Sequence, residues 1–202
     1  MKVALIGATG HVGSELLKEL VRRGHAVTAI VRNPEKLPPA TNVIAKKGDV
    51  FDTAGLTELL KGHDAVISAV HFTASDPQKL MDAVKAAGVK RYLVVGGAGS
   101  LEVTPGVALV TTPGFPAEYK DEALKGGDFL ALLRQENGLD WTFLSPSALL
   151  FDGPRTGIFR LGKDQLLSND KGSSISVADY AIAFTDELEK PAHSKQRFTV
   201  GY

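Results

Sequence analysis

Residues 3–14 read Val3-Ala4-Leu5-Ile6-Gly7-Ala8-Thr9-Gly10-His11-Val12-Gly13-Ser14, and the fold turns on this stretch. An apolar run suited to a strand at Val3–Ile6 meets three glycines spaced GxxGxxG. Beyond them Val12, Leu16, Leu17, Leu20 and Val21 recur at helical spacing. The helix ends in Arg22-Arg23 and stops at Gly24, a cationic last turn followed by glycine. Glycines allow a tight turn and let backbone amides approach an anion, and a helix N-terminus adds unpaired N–H groups with a partial positive charge. The spacing departs from the commoner GxGxxG, but it meets the same requirement, a pyrophosphate held by Gly7, Thr9, Gly10, His11, Val12 and Gly13.

Outward from this turn, short apolar runs alternate with helical segments, the pattern of βαβ units around a parallel sheet. Strands are expected at Ala26–Val31, Val43–Lys46, Asp64–Val70, Arg91–Val95 and Asp140–Leu144, with a last one at Gln196–Val200. The run at 64–70 reads as an apolar run interrupted after its first residue only by Ser68, as in a strand buried on both faces. Helices are expected at Thr53–Lys61, after Asp76-Pro77, at Glu118–Gln135 and near Val177–Glu189. Residues 96–117, with Pro105, Gly106, Pro113, Gly114 and Pro116, read as a long loop, and 101–117 as a lid over a substrate. The expected fold is α/β: one Rossmann-type, doubly wound, mostly parallel sheet over residues 1–202, with helices on both faces. Residues 150–176 form a small irregular C-terminal substrate lobe over the cleft.

The 202 residues carry 23 Lys+Arg and 23 Asp+Glu, a formal charge of zero, which speaks against nucleic acid bound through many phosphate contacts. Cysteine is absent, so disulfides and thiolate chemistry are excluded. The five histidines show no ligand spacing, so no metal site is expected; His25, His63 and His193 read as solvated loop residues, and Arg22-Arg23 and Lys46-Lys47 as surface charge. No signal peptide or membrane span is expected, and the expected location is the cytoplasm. Trp141 and Phe143 read as core, and Asp179 as a structural residue near a helix start.

Where sheets of this kind that prefer NAD carry an acidic residue for the ribose hydroxyls, at the end of the second strand, this chain has Arg32. A carboxylate would repel a 2′-phosphate, whereas a guanidinium binds one through two parallel hydrogen bonds. NADP(H) is therefore the expected cofactor, ahead of NAD(H).

The blocks GATGHVGS at 7–14, VTAIVRNPEKL at 27–37, GDVFD at 48–52, DAVISAV at 64–70, LVVGGAGSL at 93–101, DWTFLSP at 140–146, TGIFRLG at 156–162 and SISVADYA at 174–181 resemble the atypical short-chain dehydrogenases. Within that group they are most similar to the NAD(P)H-flavin reductase and biliverdin-reductase-like branch, close to the nitrogen-regulator-like proteins. The resemblance implies that Asp49 and Val50 face the adenine. It places Ala69, Val70 and His71 beside the ribose and pyrophosphate, and Gly96, Gly97, Ala98, Ser145 and Pro146 around the nicotinamide. Ser100 stands where a relative's serine lies beside the nicotinamide, and Ser147 where some relatives have a histidine; with Tyr119 these are the candidates for positioning an acceptor.

Ordinary short-chain dehydrogenases pair a tyrosine with a lysine four residues on, which lowers the tyrosine pKa. Here Tyr119 is followed at that spacing by Ala123, so carbonyl-reducing or epimerising machinery is missing. The expected activity is hydride transfer from NADPH to a flavin or similar planar acceptor such as a quinone, which asks mainly for binding and orientation. The alternatives are a non-catalytic NADP(H)-sensing regulator and an epimerase/dehydratase-like enzyme that uses NAD. Ser145 and Ser147 lie in no GxSxG elbow, which leaves no case for an esterase. A homodimer is the expected assembly if there is one.

Overall fold

A computed structural model describes residues 1–202. The strands are β1 (Lys2–Ile6), β2 (Ala26–Val31), β3 (Val43–Lys47), β4 (Ala65–Ser68), β5 (Arg91–Val95), β6 (Glu102–Thr104), β7 (Val107–Ala108), β8 (Asp140–Ser145), β9 (Leu149–Phe151), β10 (Arg160–Gly162), β11 (Ser174–Ser176) and β12 (Gln196–Gly201). The α-helices are α1 (His11–Arg22), α2 (Thr53–Leu60), α3 (Pro77–Ala86), α4 (Lys120–Gln135) and α5 (Val177–Glu189).

Eight strands form one sheet in the order β10-β12-β8-β5-β4-β1-β2-β3. All pairings are parallel except that of β10 with β12. The order reverses between β1 and β4, the switch point of a Rossmann-type sheet, where a crevice opens at the carboxyl ends of the strands.

Alternate residues of each strand enter opposite cores. Val3, Leu5, Ala29, Ile67 and Phe198 pack with Leu16 and Leu20 of α1 and Tyr180 and Phe184 of α5. Ala4, Ile6, Val66, Tyr92 and Phe143 pack with Leu56 of α2, Leu80 of α3 and Phe129 of α4. The two clusters hold 20 and 19 buried residues, so neither face of the central strands is left for solvent, and this is why those strands read as apolar runs. Leu16 and Leu20, both at 0% exposure, each contribute about 1.5–3 kcal/mol by burial. Gly24, with φ of 79°, closes α1 in the left-handed region.

Asp52 and Asp76 cap α2 and α3, each accepting a backbone N–H within the first turn. Trp141 and Phe143 are core, as expected. No helix is long and apolar enough to cross a membrane.

Several expectations need correction. The expected loop 96–117 contains the hairpin β6–β7, turning at Gly106, and single 3-10 turns at Leu109–Thr111 and Ala117–Tyr119. Residues 150–176, expected as a small irregular lobe, carry short strands as well: β9 and β11 pair with each other in parallel, and β10 joins the main sheet at its edge. Nor are the expected solvated charges all solvated. His25 is 5% exposed and bonds Glu189 at 2.9 Å, and His193 stacks on Phe198 and bonds Glu187 at 2.8 Å. His63 bonds Thr28 Oγ1 at 2.8 Å, and Arg23 bridges Glu19, Asp186 and Glu189. Glu189, Thr28 and Asp186 lie far away in sequence from His25, His63 and Arg23, so no local pattern announces those partners.

Candidate functional site

The β1–α1 turn is built by glycine. Gly7 has φ of 87°, and a side chain on it would overlap the Ala69 carbonyl, while one on Gly13 would overlap the carbonyl of Gly7. The carbonyl of Gly10 accepts the first intrahelical bond, from Ser14 at 2.9 Å. The amides of His11, Val12 and Gly13 thus precede the ladder, α1 has no side-chain cap, and its first turn carries no acidic residue. Three N–H groups and the positive end of the helix dipole therefore converge beside Thr9 and Gly10, which are exposed. This chemistry fits a pyrophosphate.

At the ends of β2 and β3, a cleft of about 440 Å³ is lined by Arg32, Lys47, Gly48, Asp49, Asp52, Gly55 and Leu59. Both carboxylates are committed to backbone: Asp52 accepts from Gly55 N at 3.0 Å and Asp49 from Phe51 N at 2.9 Å. Arg32 and Lys47 are exposed and make no ion pair. Val50 lies half-buried against the α2–α4 core.

At the end of β4, Ala69 and Val70 are half-buried and His71 is exposed. The chain there is fastened to α4 by Glu122, which accepts from Phe72 N at 2.7 Å, Thr73 N at 2.9 Å, Thr73 Oγ1 at 2.7 Å and His71 Nδ1 at 3.2 Å. Burial alone would raise the Glu122 pKa, but the Thr73 and Phe72 donors together hold it below the ordinary carboxylate value. Phe72 stacks on Phe143 with centroids 6.2 Å apart and fills the space against Gly126 of α4.

Beyond β5 the backbone runs close to its neighbours: a side chain on Gly96 would strike Phe143, and one on Gly99 would come within 2.6 Å of Ala123 Cβ. Gly97, Ala98 and Ser100 are half-buried. Ser100 Oγ is 3.3 Å from Nη1 of Arg197. Beyond β8 the picture differs. Ser145 and Pro146 are buried, and Ser147, at 1% exposure, donates its hydroxyl to the Val200 carbonyl at 2.9 Å. Ser147 therefore faces β12 rather than the crevice, a correction to its expected place beside an acceptor. Tyr119 stands exposed before α4, and its hydroxyl has no hydrogen-bond partner.

The structure thus brings the glycine turn, Arg32, Asp49, the β4 end and the β5 end to the carboxyl edge of one sheet. It also adds contacts that the sequence pattern passed over. His11 Nε2 meets Asp152 Oδ1 at 2.6 Å, joining the glycine turn to the segment after β9. Glu19, at 3% exposure, accepts from Nε and Nη2 of Arg155 at 2.9 and 2.8 Å, and from Arg23 Nε at 2.8 Å. Chiefly because of Arg155, its pKa falls to about 2. Fully buried Asp179 accepts from the amides of Thr156 and Gly157 and from the Tyr202 hydroxyl. Burial opposes its ionisation, but these donors prevail and lower its pKa.

Residues 7–188 match the sequence pattern of a family described as NAD(P)H-binding. The chain belongs to this NAD(P)H-binding family. Within it, the chain is 46% identical to the uncharacterized protein YwnB of Bacillus subtilis (strain 168), over 99% of this chain and 98% of that one. It is 26% identical to the NAD(P)H azoreductase of Xenophilus azovorans, over 98% of this chain and 67% of that enzyme. Among solved structures, a Bacteroides thetaiotaomicron protein provisionally described as an epimerase superposes with a TM-score of 0.95 at 45% identity, over 100% of this chain and 96% of that one. A Streptococcus pneumoniae protein provisionally described as an NADH-flavin reductase superposes with a TM-score of 0.84 at 40% identity, over 100% and 99% of the two chains.

Proposed function

We propose that the protein is an NAD(P)H-dependent reductase that takes NADPH in preference to NADH and passes a hydride to a flavin or another planar acceptor such as a quinone. The observation that carries the cofactor preference is the pair Arg32 and Lys47, both exposed and unpaired, beside carboxylates that are already bonded to backbone amides. A 2′-phosphate there meets two unpaired cations, while Asp49 and Asp52 each hold one oxygen on a backbone amide.

The bound nicotinamide supplies the hydride; the chain's own residues bind, orient and exclude water. The amides of His11, Val12 and Gly13 hold the pyrophosphate, and Ala69, Val70, Gly96 and Gly97 give the backbone surface on which the dinucleotide lies. Ser100 positions the acceptor. Tyr119, exposed at the start of α4, borders the same end of the sheet.

Ala123 supports a reductase over an epimerase, despite the Bacteroides relative's description. It occupies the position of the usual lysine and packs against Gly99, so no lysine stands one helical turn beyond Tyr119. The Streptococcus and Xenophilus relatives support the acceptor class.

The test is oxidation of NADPH and of NADH in the presence of riboflavin, FMN and a small quinone, for the wild type and Arg32→Ala. Turnover is expected, with NADPH affinity falling about 10–100-fold in the variant, the worth of one charge-assisted contact, and NADH affinity nearly unchanged. Tight NADPH binding without turnover on any acceptor would favour the sensor reading instead.

A further inference from the structure

Arg197 brings a buried guanidinium against the loop that follows β5. It belongs to β12, where it sits opposite Phe143 of β8, and its side chain is 3% exposed. Nε and Nη2 donate to Asp164 Oδ1, the first at 2.8 Å. Nη1 lies 3.3 Å from Ser100 Oγ and 3.4 Å from Ser145 Oγ, and Nη2 3.4 Å from the Ser100 carbonyl. The same Asp164 oxygen also takes Arg134 Nη2 at 3.3 Å, so two guanidiniums share one half-exposed carboxylate.

Guanidinium donates and never accepts, whereas a hydroxyl has one proton and can accept as well. Facing Arg197, the oxygens of Ser100 and Ser145 are held as acceptors, and neither hydroxyl donates its proton to another protein group. Ser145 is fully buried; Ser100 is half-buried and can present its proton outward.

We propose that Arg197 is a positioning residue that fixes the Ser100 hydroxyl as a hydrogen-bond donor to the acceptor and sets positive charge behind the acceptor atom that becomes negative. This rests on the reductase reading. In the step, the hydride leaves the dihydronicotinamide, which is oxidised, and forms a new bond to the acceptor, which is reduced by the same electron pair. The negative charge gathers on an acceptor oxygen or nitrogen, such as a quinone oxygen, which then takes its proton from solvent. Ser100 supplies a hydrogen bond and keeps its proton. The contacts of 3.3–3.4 Å are long, as catalytic hydrogen bonds often are before a ligand tightens them.

The experiment compares wild type, Ser100→Ala, Arg197→Lys and the double variant, with FMN and a 1,4-naphthoquinone as acceptors. Ser100→Ala should lower kcat about 10–100-fold, less than the loss of a fully enclosed oxyanion donor, and leave KM for NADPH within about twofold. Arg197→Lys keeps the charge but loses the fork, and should give an intermediate kcat. The double variant should match Ser100→Ala, because the arginine acts through that hydroxyl. Multiplicative losses, or a loss in Arg197→Lys confined to thermal stability, would overturn the proposal. If wild type turns over neither acceptor, the reductase reading fails, and binding of oxidised FMN decides this one by flavin fluorescence: tighter binding to wild type than to Ser100→Ala upholds it, and equal or absent binding overturns it.

Discussion

Replacing Glu19 by Gln preserves shape and removes the charge that joins α1 to the segment beginning at Arg155. The carboxylate is 3% exposed and takes three charge-assisted bonds of 2.8–2.9 Å from Arg155 and Arg23. Its pKa of about 2, against an ordinary 4.5, corresponds to about 3 kcal/mol of stability at neutral pH. The Arg155 side chain is 41% exposed, so water screens part of the interaction and about 2 kcal/mol is expected. Above pH 4.5 both folded and unfolded chains carry the charge, and the contribution is complete. As pH falls from 4.5 toward 2 the unfolded chain takes up a proton that the folded chain refuses, and the contribution fades. Urea unfolding at neutral pH should place Glu19→Gln about 2 kcal/mol below wild type, or about 4–8 °C lower in Tm for a domain of this size. The gap should shrink to less than half by about pH 3, with other titrations cancelling in the comparison. A gap that stays constant from neutral pH to about pH 3 would refute the assignment of the stability to this carboxylate.

Gly13→Ala places a methyl group on the Gly7 carbonyl and should weaken NADPH binding by at least about tenfold, whereas Gly114→Ala, which meets open space, should change it little; nicotinamide fluorescence titration separates the two. Glu122→Ala leaves the Phe72 and Thr73 amides without their carboxylate and should cost about 1–3 kcal/mol in urea, together with a higher Kd for NADPH; an unchanged Kd would show that the β4 end keeps its place without α4.

The central sheet was legible because its strands are buried on both faces: Val3–Ile6 and Ala65–Ser68 have no polar alternation to misread. The glycine turn was legible because its geometry depends on residues next to one another. Local pattern failed where structure comes from distant pairing. β10 is three residues long and exists through β12, nearly 40 positions later, and Gly153-Pro154 and Gly157 made its surroundings look like loop. The site divides in the same way. Arg32 was visible as a departure from an acidic position, but Lys47 looked like surface charge until the fold placed it in the same cleft. Arg197 meets Ser100 across 97 positions and Glu122 meets Phe72 across 50, so no window of sequence holds both partners. Ser147 shows the converse error: a neighbour of the crevice in sequence, it donates its hydroxyl to the Val200 carbonyl of β12, more than fifty positions away.

β12 comes last in chain order and yet lies inside the sheet, between β8 and β10. During synthesis the long edge of β8 therefore stands open for the time taken to make some fifty residues, a hazard for pairing with other chains. The short partner β10 cannot cover that edge in advance, because its only place in the sheet is on the far side of β12. One insertion thus seals the edge, docks Phe198 and Val200 beneath α5 and delivers Arg197 under Ser100. A chain caught before that moment would carry the glycine turn and the crevice between β1 and β4 already formed, with Ser100 still lacking the guanidinium behind it.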